Sequence, residues 1–281
     1  MSVIQIGPFT LDGLIFLAVL GFAAAMGAAI LYDKKRGGQA EKRLWWLTLV
    51  AALTGRLVFV IRFWPSYQEQ PLEVINIRDG GFAWQAAVVV YVLALLWLFI
   101  RRRVLFAGIA QSIAIGAVVI VGGLIWMQPW KESPQNWYEM SHLEQLRPMS
   151  SAVNTKENTV LSADQYHGKP TVINLWATWC PPCRREMPVL QQAQQRYKDV
   201  NFVFINQGER PDQIEKFLEE QGLELQNLWL DEYGLSGQAI DSKGLPSTLF
   251  LDGQGRIVNA RLGELSAASL QSHLESIRIK E

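Results

Sequence analysis

The hydrophobic pattern divides the 281-residue chain into two halves. In the first, four long apolar runs follow one another: Leu14–Tyr32, Leu44–Ile61, Phe82–Ile100 and Val104–Trp126. Each approaches the roughly 20 residues that a helix needs to cross a bilayer. Arg56 is the one charged residue inside them. Buried helices of a soluble protein rarely show four such runs in succession, so the pattern predicts four transmembrane helices. From Met127 to about Thr159 the chain turns polar, Trp130 and Trp137 suit an interfacial position, and MSSAVNTKENT reads as an exposed connection with a short surface helix over Glu139–Gln145 before it.

Beyond Gly168 the period changes again. Short apolar runs predict strands over Thr171–Ala177, Val200–Asn206 and Asn227–Leu230, and amphipathic segments predict helices over Pro182–Lys198 and Pro211–Gln221. Ser247–Asp252 and Arg256–Arg261 flank an Asp-Gly-Gln-Gly turn and read as a hairpin, and Leu265–Ile279 reads as a closing helix. A βαβ unit followed by a hairpin and a terminal helix indicates a small α/β sandwich. The expected organisation is a four-helix membrane domain over 1–128, a linker over 129–157 and an α/β domain over 158–281.

Charge adds orientation. The 26 basic and 26 acidic residues balance, but residues 1–130 hold 11 basic and 6 acidic side chains, and residues 131–281 hold 15 and 20. That balance excludes the basic stripe of a nucleic-acid binder. The 33–43 segment carries Lys34, Lys35, Arg36, Lys42 and Arg43, and residues 101–103 are three arginines. In the 62–81 loop, Arg62 and Arg78 are offset by Glu69, Glu73 and Asp79. By the positive-inside rule the two basic loops are cytoplasmic, so both termini lie outside, in a multi-pass protein of a bacterial inner membrane. The first run is expected to be retained, because MSVIQIGPFTLDG lacks the basic n-region of a signal peptide. Gln111 and Ser112 are expected to form interhelical hydrogen bonds.

Two cysteines in the whole sequence exclude a disulfide-rich scaffold. Both lie in Cys180-Pro-Pro-Cys183, between a strand and a helix. A Cys-x-x-Cys beside a βαβ pattern reads as a thioredoxin-like redox pair. Cys180 at the helix start, where free N–H groups stabilise a thiolate, is the expected exposed nucleophile. Cys183, nearly one turn on, is placed to resolve a mixed disulfide. A zinc site would need two further ligands, and His142, His167 and His273 show no metal spacing. A purely structural bridge between helical-turn neighbours would constrain almost no chain. No metal and no cofactor is implied.

The first half resembles the prolipoprotein diacylglyceryl transferase family. The likeness rests on QIGPFTLDGLIFLAVLGF and on TGRLVFVIRFWPSYQEQPLEVINIRDGGFAW, and covers about residues 5–125. Arg56 matches the arginine of the family's second motif, with a structural or phospholipid-headgroup role expected here. The chain departs from the family at Gln85, where a functional histidine is expected, and it leaves the membrane before the family's later essential arginine. The resemblance therefore does not imply lipid transfer.

The second half, about residues 155–281, resembles the TlpA/ResA-type thioredoxin-like proteins through INLWATWCPPCRREMP, FVFINQGER and GLPSTLFLDGQGRIV. This resemblance implies that Pro246 is a cis-proline facing the dithiol and that Leu245 before it helps to set substrate choice. It also implies that Glu186 is an active-site acid with Glu209 as its second member, and that Asn174 stands where ordinary thioredoxins carry a buried aspartate. Trp176 and Trp179 are expected to shape the surface around the pair, with Trp179, Leu245 and Glu209 on the substrate side.

The fold class expected is thus an α-helical four-span membrane domain plus an α/β thioredoxin-like domain. The function expected is a membrane-anchored periplasmic thiol:disulfide oxidoreductase, working as a reductant of the cytochrome c maturation or disulfide-repair type. Its partners would be protein thiol or disulfide substrates, the lipid bilayer, and a transmembrane thiol reductase, or an oxidase if it runs in the other direction. The alternative is a lipid-handling or scaffold membrane protein with a redox-sensing module.

Overall fold

The computed structural model describes residues 3–6, 9–36, 39–68, 71–101, 103–127, 137, 143, 145–149, 166, 168–242 and 244–278. Most of the expected linker and of the Glu139–Gln145 helix, together with His142 and His167, lies outside the described residues. The chain forms two compact units: Ser2–Trp64 with Gly81–Glu132, and Pro65–Gly80 with Ser133–Glu281.

The first unit opens with a short antiparallel hairpin, β1 (Val3–Ile6) and β2 (Phe9–Asp12). Four long helices follow within the unit: α1 (Gly13–Arg36), α2 (Ala40–Arg62), α4 (Trp84–Arg101) and α5 (Arg103–Met127); α3 (Trp64–Tyr67) is a single turn after α2. At a rise of 1.5 Å per residue they run roughly 27–38 Å, enough for a hydrocarbon core of about 30 Å. All four carry an apolar stretch long enough to cross a membrane.

Small residues let these helices approach. A Cβ on Gly116 of α5 would stand 2.6 Å from the Gly21 carbonyl oxygen of α1, a contact that only glycine permits. Asp33 accepts from the Ala40 and Glu41 N–H groups at 3.0 Å each, and so caps α2. Arg56 donates from Nη1 to the Gly81 carbonyl oxygen at 2.8 Å and lies 5.8 Å from the centre of the Phe59 ring. The arginine therefore has a structural task within its own unit. The expectation for Ser112 is corrected: its hydroxyl donates to the Gly108 carbonyl one turn earlier, at 2.8 Å, rather than to another helix. A serine can always satisfy itself this way along a helix. Gln111 is exposed. An interhelical bond forms instead between Thr48 of α2 and Tyr91 of α4.

The second unit is built on a six-stranded sheet in the order β3-β6-β5-β4-β7-β8. Its strands are β3 (Arg147–Pro148), β4 (Thr171–Trp176), β5 (Asn201–Gln207), β6 (Leu228–Asp231), β7 (Ser247–Leu251) and β8 (Ile257–Leu262). Strands β4, β5 and β6 run parallel, whereas β7 is antiparallel to β4, β8 to β7, and β3 to β6. Helices α6 (Pro181–Arg196), α7 (Pro211–Gln221), α8 (Leu235–Ala239) and α9 (Ala267–Arg278) complete the unit. Every residue of β4 is buried, as a central strand covered on both faces requires. Val172 and Trp176 point into one core with Leu190 of α6, Phe217 of α7 and Leu274 of α9. Ile173 and Leu175 point into the other, with Trp137, Trp229 and Leu249.

The two-residue edge strand β3 and the single-turn α8 are additions to the expected pattern, and both are too short to carry a hydrophobic period. Leu175 is fully buried, and its truncation leaves a cavity between strands that cannot collapse. Leu175→Ala is expected to cost about 2–5 kcal/mol, read as a lowered denaturation midpoint of the detergent-solubilised full chain.

Candidate redox site

The strand β4 delivers the chain directly to Cys180, which is the N-cap of α6 with φ −89° and ψ 107°. Pro181 and Pro182 occupy the first turn, where a missing N–H costs no helical bond. Cys180 and Cys183 are joined in a disulfide. The Cys183 N–H points at Cys180 Sγ, 3.3 Å away, so the helix end presents a donor to the first sulfur. The expectation of an exposed nucleophile is corrected for this oxidised form. Cys180 is only 3% exposed and Cys183 is fully buried, both within the apolar cluster that holds Trp176 and Met187.

Glu186, one turn beyond Cys183 on α6, is fully buried. Residues three apart on a helix share a face, so this carboxyl and the second thiol lie on the same side of α6. Two donors hold it. Asn174 Nδ2 of β4 donates to Oε1 at 2.8 Å, and the Leu265 N–H donates to Oε2 at 2.9 Å. Asn174 Nδ2 also donates to Thr248 Oγ1 at 3.0 Å, tying the carboxyl to β7. Burial pushes the Glu186 carboxyl up to about 8, against the opposing pull of the Asn174 and Leu265 bonds, with Glu264 adding to the rise and Arg261 opposing it. The group therefore holds its proton more tightly than an exposed glutamate does.

Glu209 does a different job. Its carboxylate accepts from the Thr178 N–H at 2.7 Å, from the Thr178 hydroxyl, and from Asn206 Nδ2 at 2.7 Å. It fixes the loop that leads into Trp179 and Cys180. The two glutamates are thus held by separate partner sets, Glu186 by Asn174 and Leu265, Glu209 by Thr178 and Asn206. The Leu245–Pro246 bond is cis, the isomer the resemblance implied. Pro246 is buried, and Leu245 is half-buried against the cluster that contains both cysteines. Trp176 is core, its ring 5.7 Å from that of Phe217, whereas Trp179 is 66% exposed beside the dithiol.

Thr248, Thr178 and the Leu265 N–H escaped the sequence reading as site groups. The first follows the Leu-Pro-Ser of the cis bond, and its position on a strand facing α6 is the signal that marked it. A backbone N–H such as that of Leu265 leaves no signal. His273, by contrast, is a core group: it stacks on Phe250 with ring centres 4.5 Å apart, and burial holds its imidazole down at about 4.

The raised Glu186 carboxyl has a stability consequence with a definite sign. Above its ordinary value of 4.5 the unfolded chain releases this proton, while the folded chain keeps it until about pH 8. The unfolded state then binds fewer protons, so this residue makes stability fall as pH rises between those values. Glu186→Gln is expected to remove that decline, gaining stability relative to the parent as pH climbs from 5 to 8. Denaturant midpoints of the oxidised protein across that range check it.

Residues 144–274 match the Redoxin family, and residues 1–125 match the prolipoprotein diacylglyceryl transferase family. The chain is 34% identical over 115 residues to the thiol-disulfide oxidoreductase ResA of Geobacillus kaustophilus, a match covering 40% of this chain and 66% of that protein. It is 36% identical over 104 residues to the thiol:disulfide interchange protein HelX of Rhodobacter capsulatus, covering 37% and 58%. The crystal structure of StoA from Bacillus subtilis aligns with a TM-score of 0.38 and 25% identity, covering 46% of this chain and 96% of that one. The chain thus spans somewhat under two thirds of the length of the curated relatives it matches. Its carboxy-terminal half matches the Redoxin family, and it is joined in one polypeptide to a helical half that matches the prolipoprotein diacylglyceryl transferase family.

Proposed function

We propose that the protein is a membrane-anchored thiol:disulfide oxidoreductase that exchanges disulfides with protein substrates through Cys180 and Cys183, working as a reductant on the periplasmic side. The observation that carries this reading is a dithiol pair at a helix head directly before a buried glutamic acid. Domains over 1–128 and 158–281 would serve as anchor and redox module, joined by the 129–157 linker.

The chemistry balances in both half-reactions. In the reduced protein the Cys180 thiolate attacks a substrate disulfide, forming a mixed disulfide and releasing one substrate thiolate. Cys183 then loses its proton to the Glu186 carboxylate and attacks Cys180 Sγ. The second substrate thiolate leaves, and the Cys180–Cys183 bond forms. Two electrons have passed to the substrate. Re-reduction runs in reverse: a donor thiolate attacks Cys180, and neutral Glu186 gives its proton to the departing Cys183 sulfur. A carboxyl at about 8 suits both tasks, since an ordinary thiol titrates near 8.5. Glu209 and Asn206 hold the loop before Cys180, and exposed Trp179 with Leu245 offers apolar surface to a substrate segment.

The reductant direction rests on the likeness to the TlpA/ResA-type proteins, and it sets a requirement for electrons. The periplasm is oxidising, so a reductant there needs a supply of electrons. Neither cysteine lies in the four apolar runs. A transmembrane thiol reductase on another chain is therefore the electron partner of this reading. The side of the membrane is supported by the basic loops and by the 65–80 segment, which shares a compact unit with the redox domain.

Three variants test the function. The reduced full chain in detergent is expected to reduce a disulfide-bonded protein. Cys180→Ser is expected to drop to the background rate, and Cys183→Ser to accumulate a mixed disulfide visible on a non-reducing gel. Glu186→Gln should lose about 10²-fold in the resolving step at neutral pH. A Cys180→Ser protein as active as the parent would overturn the reading. A second check concerns direction: acid quenching and thiol alkylation in intact cells should find the pair mostly reduced, and mostly oxidised once its electron donor is deleted.

A further inference from the structure

The acid that serves the dithiol is not held by its own half of the sequence alone. Residues 65–80, which connect the second and third apolar helices, belong to the same compact unit as the redox domain. Their contacts converge on one short stretch, residues 261–271. Asp79 is 1% exposed, and its Oδ2 accepts from Tyr67 Oη at 3.2 Å and from Ser266 Oγ at 2.9 Å. Ser66 Oγ donates to Gln271 Oε1 of α9 at 2.7 Å. Arg261 Nη2 donates to the Arg78 carbonyl at 2.8 Å. Gly80 has φ 65°, and a Cβ there would stand 2.0 Å from Arg261 Nη1, so the turn after Asp79 is shaped around that guanidinium.

The receiving stretch is the one that faces Glu186. Ser266 heads α9: its carbonyl accepts from the Leu270 N–H at 2.9 Å, and its N–H donates to Ser269 Oγ at 2.9 Å. The residue before it, Leu265, donates its N–H to Glu186 Oε2. The residue before that, Glu264, forms a forked ion pair with Arg185, the neighbour of Glu186 on α6. Two bonds and one peptide unit therefore separate Asp79 from the active-site acid. Burying a carboxylate is costly unless it is satisfied by donors that need it. Here the donors are Tyr67, within its own loop, and Ser266, beside Glu186.

We propose that Asp79 is a positioning residue for the redox reaction, fixing the Glu264–Ser266 segment through Ser266 so that the Leu265 N–H stays on the Glu186 carboxyl. The inference rests on the oxidoreductase reading, and its role is indirect: Asp79 touches neither sulfur. The groups that face Glu186 are Cys183 on its own helix, Asn174 on β4, the Leu265 N–H, Glu264 and Arg261. Of these, the Leu265 bond is the one Asp79 controls, and it favours the ionised carboxyl. Loosening it leaves Glu186 harder to ionise.

The test is the pH profile of disulfide reduction by the full chain. Asp79→Ala and Ser266→Ala are each expected to move the Glu186-dependent limb at least half a unit to higher pH, about a threefold slower rate at a fixed pH on that limb. The double variant should move it no further than either single change, because the two act on one path. In a Glu186→Gln background Asp79→Ala should have no effect on the profile. Infrared titration of the Glu186 carboxyl in the oxidised protein, as a difference against Glu186→Gln, reads the same shift without any turnover. Should the parent protein lack reductase activity, the function fails and this band still decides the positioning role. Folded variants with an unmoved profile and an unmoved carboxyl band would overturn the inference. If Asp79→Ala does not fold, Ser266→Ala and Tyr67→Phe carry the same comparison.

Discussion

The α/β half is organised around a buried carboxyl, whose burial favours the uncharged form. Glu186 has no contact with water, and its two oxygens each receive one N–H, from Asn174 and Leu265. Those two donors come from opposite ends of the domain's sequence. Asn174 belongs to the central strand and Leu265 to the entry of the last helix, with Thr248 bracing the amide from β7. The sheet order brings β4 and β7 side by side, and the return of β8 carries the chain to Leu265. Strand pairing, helix entry and proton chemistry are therefore one arrangement. A shift in any of these elements changes the proton affinity next to Cys183.

Around that centre the labour is divided. Glu209 holds the backbone before Cys180, and Glu186 sits one turn beyond Cys183 with its own donors, so the two carboxyls have separate structural settings. Trp176 anchors the end of β4 in the core, while its near neighbour Trp179 faces outward. A three-residue offset at the end of a strand is enough to turn one indole into packing and another into surface.

Much of this was legible in the sequence. The four apolar runs were long enough to demand spanning helices. The largely apolar β4, followed three residues on by Cys-Pro-Pro-Cys and an amphipathic segment, marked both the central strand and the cysteine pair. What escaped was whatever depends on partners distant in the chain. Asp79 reads as one more acidic residue in a charged loop, yet it is buried because Ser266 lies 187 positions later. Ser112 offered no hint of whether it would bond across helices or along its own. Cys180 reads as exposed from its place at a helix head, but in the disulfide form it lies in the cluster with Trp176 and Met187. Strand β3 has two residues, one of them Pro148, and is defined only by its pairing with β6.

The discontinuous make-up of the redox unit has a consequence for biogenesis. Ser66, Arg78 and Asp79 must wait for partners that are synthesised some 180 to 205 residues later. They meet those partners only if the loop between the second and third spans and the final helix are delivered to the same face of the membrane. A chain in which one of the last two apolar helices failed to insert would separate them by the thickness of the bilayer. Insertion of the last two apolar helices as a pair is thereby written into the folding of the unit that holds Cys180 and Cys183.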